Sequence, residues 1–287
     1  MQEKDLLILG AGWTSTFLIP LLKSRNLTYA ATTTTGRDDT IKFKFDPSLS
    51  YDEQIVVFSA LPVAKTVLIT FPLTGTGQSK LLLETYNTTH KRASARFVQL
   101  GSTGIWQIAQ DDIWITRHSP YDNSKPRAVA EDELLSLGGC VLNLAGLWGG
   151  TRQPRDWVDR VAPTKDKVRE KTSLHMIHGQ DVSRAVVAVH DDFELGKGQR
   201  WMLTDGFVYD WWALFAGWGE ADGKGSSGAV DAGGEDEKQT RQCKWVYELL
   251  QEEDVRALPR SMTALGRCYD SREFWQTFHI APLKARI

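Results

Sequence analysis

Two glycines follow the first apolar run of the chain at a spacing that suits phosphate binding. Leu6–Leu9 is a run of four apolar residues, and Gly10 and Gly12 come directly after it. In a strand–turn–helix unit, the first glycine permits a tight turn and the second lets a pyrophosphate approach the backbone. The helix N-terminus then supplies amide donors to the anion. We therefore expect a dinucleotide at this turn, held by the two glycines together with Trp13 and Thr14.

The residues about twenty positions further on indicate which dinucleotide binds. NAD sites usually place an acidic residue there for the ribose 2′-hydroxyl, whereas this chain has a run of threonines ending at Thr35, then Gly36 and Arg37. Hydroxyls and a guanidinium suit a 2′-phosphate, because arginine makes charge-assisted, bidentate bonds to it. NADP is therefore favoured. NAD stays the less favoured alternative, since Asp38 and Asp39 could neutralise Arg37 or face the ribose.

The elements that must position these residues can be predicted from short apolar runs. The runs lie at Ile55–Phe58, Val67–Phe71, Phe97–Leu100 and Val141–Leu147. Segments with a helical pattern lie between several of them, among them Gln78–Thr88 and Arg127–Leu137. Short buried strands that alternate with helices are typical of βαβ units in a parallel sheet. Later in the chain, Asp181 precedes an apolar stretch and is predicted to cap a further helix.

The predicted fold class is α/β, with a doubly wound parallel-sheet Rossmann domain and a smaller C-terminal substrate domain. The Rossmann domain is expected over residues 1–150, with 178–205 returning to it. Residues 151–177 and 206–287 would form the substrate domain. Within it, residues 217–242 are rich in glycine and acidic residues, which predicts a flexible insertion because such a segment buries too little surface to offset its ordering entropy.

Composition and charge exclude several functional classes. The 287 residues carry 34 basic and 36 acidic side chains, so the formal net charge is −2 and the basic excess typical of nucleic-acid binding is missing. The chain has no apolar run of about 18 residues, so no membrane span is predicted. Three widely spaced cysteines indicate reduced thiols and a cytoplasmic location. We expect a small-molecule substrate, no metal, no nucleic acid and no membrane partner; a homodimer is compatible with the sequence but not required by it.

Two further features allow two interpretations each. Residues 150–172 hold seven basic and four acidic side chains, which fits either a solvated surface or a lid that faces an anion. The chain has eleven tryptophans, and these could fill the core or line an aromatic pocket for a flat ligand. In the second interpretation, the substrate side would be lined by Trp201, Trp211, Trp212, Trp245 and Trp275. Of the histidines, His118 lies in a loop where it could donate a proton.

Five stretches occur in a specific order along the chain: Leu7–Trp13, Thr32–Arg37, Leu68–Pro72, Val98–Trp106, and Leu144–Arg152 with His178 and Asp181 after it. This order resembles the extended and atypical short-chain dehydrogenases/reductases, in particular their NAD(P)-dependent epimerase/dehydratase-like branch. The resemblance covers nearly the whole chain except the glycine-rich insertion. It implies that Phe71 and Pro72 run beside the nicotinamide ribose.

The same resemblance implies where the catalytic residues lie. In this family a serine or threonine orients the substrate oxygen, and a tyrosine donates or takes a proton. A lysine four residues later lowers the pKa of that tyrosine and holds the nicotinamide ribose, which is the cofactor-binding role that Arg127 would have in the alternative register below. Ser102 takes the serine place, with Thr103 beside it. Tyr121 and Lys125 have the Tyr-x-x-x-Lys spacing. Pro126 disfavours helical geometry at Lys125 and predicts that the helix begins there. In the alternative register, Arg127 takes the lysine place and Asn123 the tyrosine place.

Two hypotheses from different functional classes follow. The first is an NADP-dependent oxidoreductase of the short-chain dehydrogenase/reductase type that acts on a carbonyl or alcohol of a small organic substrate. An epimerase or dehydratase that keeps its cofactor bound is a variant of this hypothesis. The second is a non-catalytic protein that senses NADP(H), and it is favoured by the register in which no tyrosine acid remains.

Overall fold

The computed structural model describes residues 3–90, 95–109, 111–219 and 239–287. The strands are β1 (Lys4–Leu9), β2 (Tyr29–Thr33), β3 (Ile41–Lys42), β4 (Ala64–Ile69), β5 (Arg96–Ser102), β6 (Trp114–Ile115), β7 (Cys140–Leu144), β8 (Gly146–Trp148), β9 (Ser173–Leu174), β10 (Met176–His178), β11 (Arg200–Leu203), β12 (Tyr209–Asp210) and β13 (Cys268–Tyr269). The helices are α1 (Ser15–Ser24), α2 (Tyr51–Ser59), α3 (Gln78–Thr89), α4 (Pro126–Ser136), α5 (Val158–Val161), α6 (Lys165–Arg169), α7 (Gly179–Asp191), α8 (Phe193–Gly196), α9 (Trp211–Gly217), α10 (Arg241–Glu252), α11 (Met262–Leu265) and α12 (Arg272–Thr277).

A seven-stranded parallel sheet in the order β11-β7-β5-β4-β1-β2-β3 forms the centre of the fold. The strand order reverses direction at β1, because β2 lies on one side of it and β4 on the other. Ligands of such open sheets bind at the carboxyl ends of the strands, next to this switch point. The predicted α/β class with its parallel sheet is therefore confirmed, and it places the glycine turn after β1 where a dinucleotide would bind.

Helices cover both faces of the sheet, which makes it doubly wound. Leu6, Ile8 and Val98 point to a core shared with α1, α7 and the C-terminal Phe274. Leu7 and Leu9 point to the opposite core, which is shared with α2, α3 and α4. The strands are buried on both faces, and this explains why they read as continuous apolar runs.

Two local predictions are wrong. Ile55–Phe58 lies in α2 rather than in a strand, because Ser50 and Glu53 form a capping box that starts a helix. A short apolar run does not by itself distinguish a strand from a buried helical turn. Asp181 does not cap α7: the N-cap residue is His178, whose Nδ1 accepts from the Gln180 amide.

Beyond residue 150, a third apolar cluster joins α6, α9 and α10 and includes the fully buried Trp212. Of the five tryptophans predicted to line the substrate side, Trp201, Trp211, Trp212 and Trp275 are buried in apolar clusters, and Trp245 is half-buried against the cluster of Trp212. Trp275 also lines a cavity of about 1330 Å³. The last helix, α12, packs against the core of the main sheet. The domain boundaries stay a prediction, and most of the predicted insertion at 217–242 lies outside the described residues. Within the described ranges, no helix combines the length and apolar character needed to cross a membrane.

Candidate dinucleotide and substrate site

The turn after β1 has a backbone that glycine alone fits well. Gly10 has a φ of +92°, a region that L-amino acids with side chains rarely adopt, and a Cβ there would lie 2.7 Å from Thr70 Oγ1. The Gly10 amide donates to Thr32 Oγ1 at 3.0 Å, and the Ala11 amide donates to the Thr32 carbonyl at 2.6 Å. These bonds fix the turn against the end of β2.

The backbone beyond this turn is open to a ligand. A Cβ on Gly12 would meet no atom within 4 Å. The Gly12 amide is used within the turn, but no described atom accepts a hydrogen bond from the amides of Trp13 and Thr14. Helix α1 also has no side-chain cap. Its N-terminus therefore presents free amide donors and a partial positive charge, which together suit a phosphate.

Trp13 is held in place by a loop that is distant in sequence. Its Nε1 donates to the Gly149 carbonyl at 3.2 Å, and its ring packs edge-on against Phe17. The guanidinium carbon of Arg152 lies 4.5 Å from the centroid of the Trp13 ring. The segment after β8 thus covers one side of the glycine turn.

The end of β2 carries the side chains predicted to select the cofactor. Thr33 Oγ1 accepts from the amides of Gly36 and Arg37, at 2.9 and 3.2 Å, and so closes a tight turn. Thr35 and Arg37 are exposed in this turn. Arg37 Nε lies 3.8 Å from Asp38 Oδ2, with both side chains largely in solvent. Such an exposed pair is weak, so it leaves the guanidinium available to a stronger anionic partner.

Phe71 and Pro72 follow β4, next to the glycine turn. A Cβ on Gly10 would lie 3.2 Å from Phe71 Cδ1, so the Phe71 ring borders the turn directly. The ring stacks on Phe45, with centroids 6.2 Å apart. Pro72 is exposed beside it. These residues lie where the resemblance places the nicotinamide ribose, and their contact with it stays a prediction.

Ser102 ends β5 at the same edge of the sheet. Its Oγ accepts from the Gly104 amide at 3.1 Å and thereby caps a short 3₁₀-helix, Thr103–Trp106. Lys125 Nζ donates to the carbonyl of the same Gly104 at 2.8 Å and lies 4.0 Å from Asp122 Oδ2. Ser102 and Lys125 therefore both bind Gly104, Ser102 at its amide and Lys125 at its carbonyl.

Tyr121 is held on a different set of partners. Its hydroxyl donates to Asp132 Oδ1 at 2.8 Å, and the Arg200 guanidinium carbon lies 4.4 Å from the centroid of its ring. Burial raises the pKa of Tyr121, and the bond to Asp132 raises it further. Helix α4 begins at Pro126, with Lys125 extended at the N-cap, so Tyr121 and Lys125 do not share a helix face.

Arg127, which takes the lysine place in the alternative register, lies in the first turn of α4. Its Nε is 3.8 Å from Glu131 Oε1. Asn123, which takes the tyrosine place in that register, is exposed in the loop before the helix. Neither register therefore puts a tyrosine hydroxyl on α4, and the roles of Tyr121, Lys125 and Arg127 stay predictions.

A buried polar network below Ser102 was missed by sequence reasoning. Glu131 is fully buried, and its Oε2 accepts from Asn143 Nδ2 at 2.8 Å and lies 3.3 Å from Arg200 Nη2. The same Asn143 Nδ2 also donates to the Ser102 carbonyl at 3.1 Å. Burial raises the pKa of Glu131, although Asn143 and Arg200 oppose the change. The available signals were an acid in the middle of α4 and an asparagine within an apolar strand.

His118 is an exposed loop residue whose Nε2 lies 3.0 Å from Glu273 Oε2, on α12. Glu273 also binds Arg117, whose guanidinium carbon lies 4.1 Å from the centroid of the Trp201 ring. These contacts join the loop to the C-terminal helix. Among the residues that the structure describes, no hydrogen bond or ion pair connects His118 with Ser102 or with the glycine turn.

Comparison with known proteins supports the fold. No family model and no curated protein matches the sequence. A short-chain dehydrogenase/reductase superfamily protein from Agrobacterium tumefaciens with bound NAD is 9% identical, with a TM-score of 0.62 over 98% of this chain and 93% of that one. RMD from Pseudomonas aeruginosa, in complex with NADPH, is 12% identical, with a TM-score of 0.58 over 98% and 95%.

A protein from Methylobacillus flagellatus described as an NAD-dependent epimerase/dehydratase is 10% identical, with a TM-score of 0.53 over 96% of this chain and 92% of that one. At this level of identity the likeness concerns the fold. The chain has the Rossmann-type fold of short-chain dehydrogenase/reductase and epimerase/dehydratase proteins, and the predicted resemblance is confirmed to that extent.

Proposed function

We propose that this chain is an NADP-dependent oxidoreductase of the short-chain dehydrogenase/reductase type that acts on a carbonyl or alcohol of a small organic substrate. One observation carries the proposal: the open glycine turn after β1 and the Ser102 hydroxyl lie at the same edge of the sheet. Only β4 separates β1 from β5, so the two strand ends are two strand spacings apart. At about 4.8 Å per spacing, a dinucleotide bound across the edge would extend from the turn towards Ser102.

The residues present fit such a cofactor. The amides of Trp13 and Thr14 would bind its pyrophosphate, and Arg37 with Thr35 would hold the 2′-phosphate that distinguishes NADP. Phe71 and Pro72 would border the nicotinamide ribose. The bound cofactor supplies or accepts the hydride, so the protein has to bind the substrate, orient it and stabilise the charge that develops on its oxygen.

Ser102 is the residue we assign to the substrate oxygen. Its hydroxyl can donate a hydrogen bond to that oxygen while it accepts one from the Gly104 amide. Lys125 lies on the carbonyl side of the same Gly104, so its ammonium group adds positive charge near the developing oxyanion. Tyr121 is the available tyrosine acid in the loop, and it would have to leave Asp132 to reach the substrate.

An epimerase or dehydratase that keeps the nicotinamide bound is equally compatible with the fold, since structural neighbours of both kinds exist. It would need the same glycine turn and the same serine. It would differ in returning the hydride to the substrate or to an intermediate, so the cofactor would show no net oxidation.

A non-catalytic NADP(H) sensor is the second candidate function. The observation that favours it is the position of Tyr121, whose hydroxyl is bound by Asp132 beneath Arg200 rather than paired with Lys125 on a helix. A protein that binds the cofactor but lacks a positioned acid would bind NADP(H) without turnover.

The experiment that tests these functions is a screen of carbonyl compounds in the presence of NADPH, with loss of the reduced cofactor as the readout. For a compound that is turned over, Ser102→Ala should lower kcat by about 10²–10³-fold, as the loss of one oxyanion donor does elsewhere. It should leave the Kd for NADPH unchanged. Tight NADPH binding with no turnover of any compound would favour the sensor.

A further inference from the structure

A small cavity borders the proposed site on the side of the basic segment that follows β8. It measures about 400 Å³ and is lined by Leu147, Arg152, Trp157 and Arg160. Arg152 also lies over Trp13 of the glycine turn. The cavity therefore has two arginines, an indole ring and an aliphatic side chain on its walls, next to the residues that would hold the cofactor.

The cavity also lies near the strand that carries Ser102. Leu144, the last residue of β7, pairs with Ser102 in the sheet. Leu147 is three residues further along the chain, so its backbone lies within about 10 Å of Leu144, and Ser102 is one strand spacing of about 4.8 Å from Leu144. A molecule of modest size could thus contact the cavity at one end and the Ser102 hydroxyl at the other.

Within the described part of the chain, Arg152 and Arg160 have no acidic partner, unlike Lys165, Lys167 and Arg169 of the same segment. Lys165 is bound by Glu248 and Glu252, and Arg169 is also bound by Glu252. Among the described residues, no carboxylate lies within 4 Å of the guanidinium of Arg152 or Arg160.

The acidic residue next to Arg160 is already engaged. Asp159 Oδ1 accepts from Arg241 Nη2 at 2.9 Å and from Gln242 Nε2 at 3.0 Å. Two cations therefore converge on one cavity with their charge uncompensated. Arginine presents its donors in a planar fork that matches carboxylate and phosphate oxygens, so an anion is the ligand chemistry that this cavity fits.

We propose that this cavity binds an anionic group of the substrate, a carboxylate or a phosphate, through Arg152 and Arg160. Trp157 and Leu147 would contact the apolar part of the same molecule. The proposal rests on the proposed function in that it takes the cavity as the substrate end of the site. It adds the substrate class: a small organic oxyanion whose reacting oxygen lies at Ser102.

The position of the cavity favours the substrate over the cofactor as the source of the anion. The amides of Trp13 and Thr14 already offer a phosphate site at the glycine turn. Leu147 lies in β8, directly after β7, the strand that pairs with the Ser102 strand β5. A cofactor phosphate bound by Arg160 is the competing source, and the experiment below distinguishes the two.

The test measures binding of phenyl phosphate, benzoate and uncharged benzyl alcohol to the full chain by calorimetry, with and without saturating NADPH. Arg152→Gln and Arg160→Gln remove one charge each from the cavity. Arg169→Gln is the matched control, since it removes an arginine of the same segment whose partners are acids outside the cavity. NADPH affinity is measured on every variant.

At least one of the two anions should bind to the wild type, and benzyl alcohol should bind at least about tenfold more weakly, a difference of 1.4 kcal/mol. Each cavity variant should weaken anion binding about tenfold or more. Arg169→Gln should leave the anion affinity unchanged, and Arg160→Gln should leave the NADPH affinity unchanged. The proposal would be overturned if benzyl alcohol bound as tightly as the anions, or if neither anion bound. It would also be overturned if neither Arg152→Gln nor Arg160→Gln weakened anion binding.

A loss confined to NADPH affinity in Arg160→Gln would also overturn it, because the anion would then belong to the cofactor. Failure of the proposed function gives a different result. In that case the wild type would bind no nucleotide, while the anion measurement without NADPH would still report on the cavity.

Discussion

Gly12→Ala offers a selective test of the glycine turn. An added Cβ at this position would meet no protein atom within 4 Å. The backbone there is also outside the positive-φ region, so alanine is tolerated. Replacing such a glycine raises stability by about 0.4–1 kcal/mol, because the unfolded chain loses freedom. We therefore expect a folded variant with an unchanged or slightly higher free energy of unfolding.

The effect on the ligand should be opposite in sign. The methyl group would occupy the space through which a pyrophosphate approaches the amides of Trp13 and Thr14. Loss of one hydrogen bond to a charged group costs about 1.5–3 kcal/mol. At 1.4 kcal/mol per tenfold, the Kd for NADPH should rise by about 10- to 100-fold.

The assay pairs a urea unfolding curve with an NADPH titration, and it uses two further variants. Gly217→Ala is the matched control, since a Cβ there also meets nothing within 4 Å and the site lies far from the turn in sequence. Gly217→Ala should lower neither the free energy of unfolding nor the affinity for NADPH. Gly10→Ala is the contrast: its φ of +92° and its approach to Thr70 Oγ1 should cost about 1–2 kcal/mol of stability or more.

Two results would refute the reasoning. If Gly12→Ala binds NADPH as well as the wild type, no ligand approaches the backbone at this position. If Gly12→Ala unfolds as readily as Gly10→Ala, the space around Gly12 is not open in the folded protein, and the binding result cannot be attributed to the ligand.

Three further predictions concern cofactor choice, the buried network and pH. Arg37→Gln should weaken NADPH about tenfold or more and leave NADH unchanged; an equal loss for both nucleotides in the same titration would contradict a 2′-phosphate contact. Glu131→Ala removes one of the two carboxylates that bind the buried Arg200, the other being Asp132, and it should cost about 1–3 kcal/mol in urea unfolding for the buried hydrogen bonds that are lost. Glu84→Ala, which breaks only an exposed pair with Lys80, should cost less than about 0.5 kcal/mol. Similar costs for the two variants would show that the network is not a paired buried charge. Burial lowers the pKa of His175 to about 3, so its neutral form contributes stability above pH 6.5 that is lost as pH falls, by about 1.4 kcal/mol per pH unit. His175→Gln should remove that part of the slope from unfolding free energies measured between pH 5 and 7, and an unchanged slope would assign it to other groups.

Local patterns predicted the parts of the site that lie in one stretch of sequence. The run Leu6–Leu9 with its glycines marked both β1 and the turn, because a buried strand and a phosphate turn each need only a few adjacent residues. Pro126 marked the start of α4 for a similar reason: proline fits the first position of a helix and disfavours helical geometry just before it.

The rest of the site depends on contacts between distant residues. Trp13 meets the Gly149 carbonyl across 136 positions, and Glu131 on α4 meets Arg200 on β11 across 69 positions. Nothing in the local sequence indicates these pairs. Ile55–Phe58 was predicted incorrectly because its apolar residues fit a buried strand and a helix equally well, and the capping box at Ser50 decided the outcome.

A titration of the wild type with NADPH and with NADH tests the central claim most directly. Energy transfer from tryptophan to the reduced nicotinamide is a suitable signal, since Trp13 is part of the turn. The account predicts saturable binding of both nucleotides, with NADPH bound about tenfold more tightly because of Arg37. Absence of saturation by either nucleotide would contradict the account, since the glycine turn would then hold no nicotinamide cofactor.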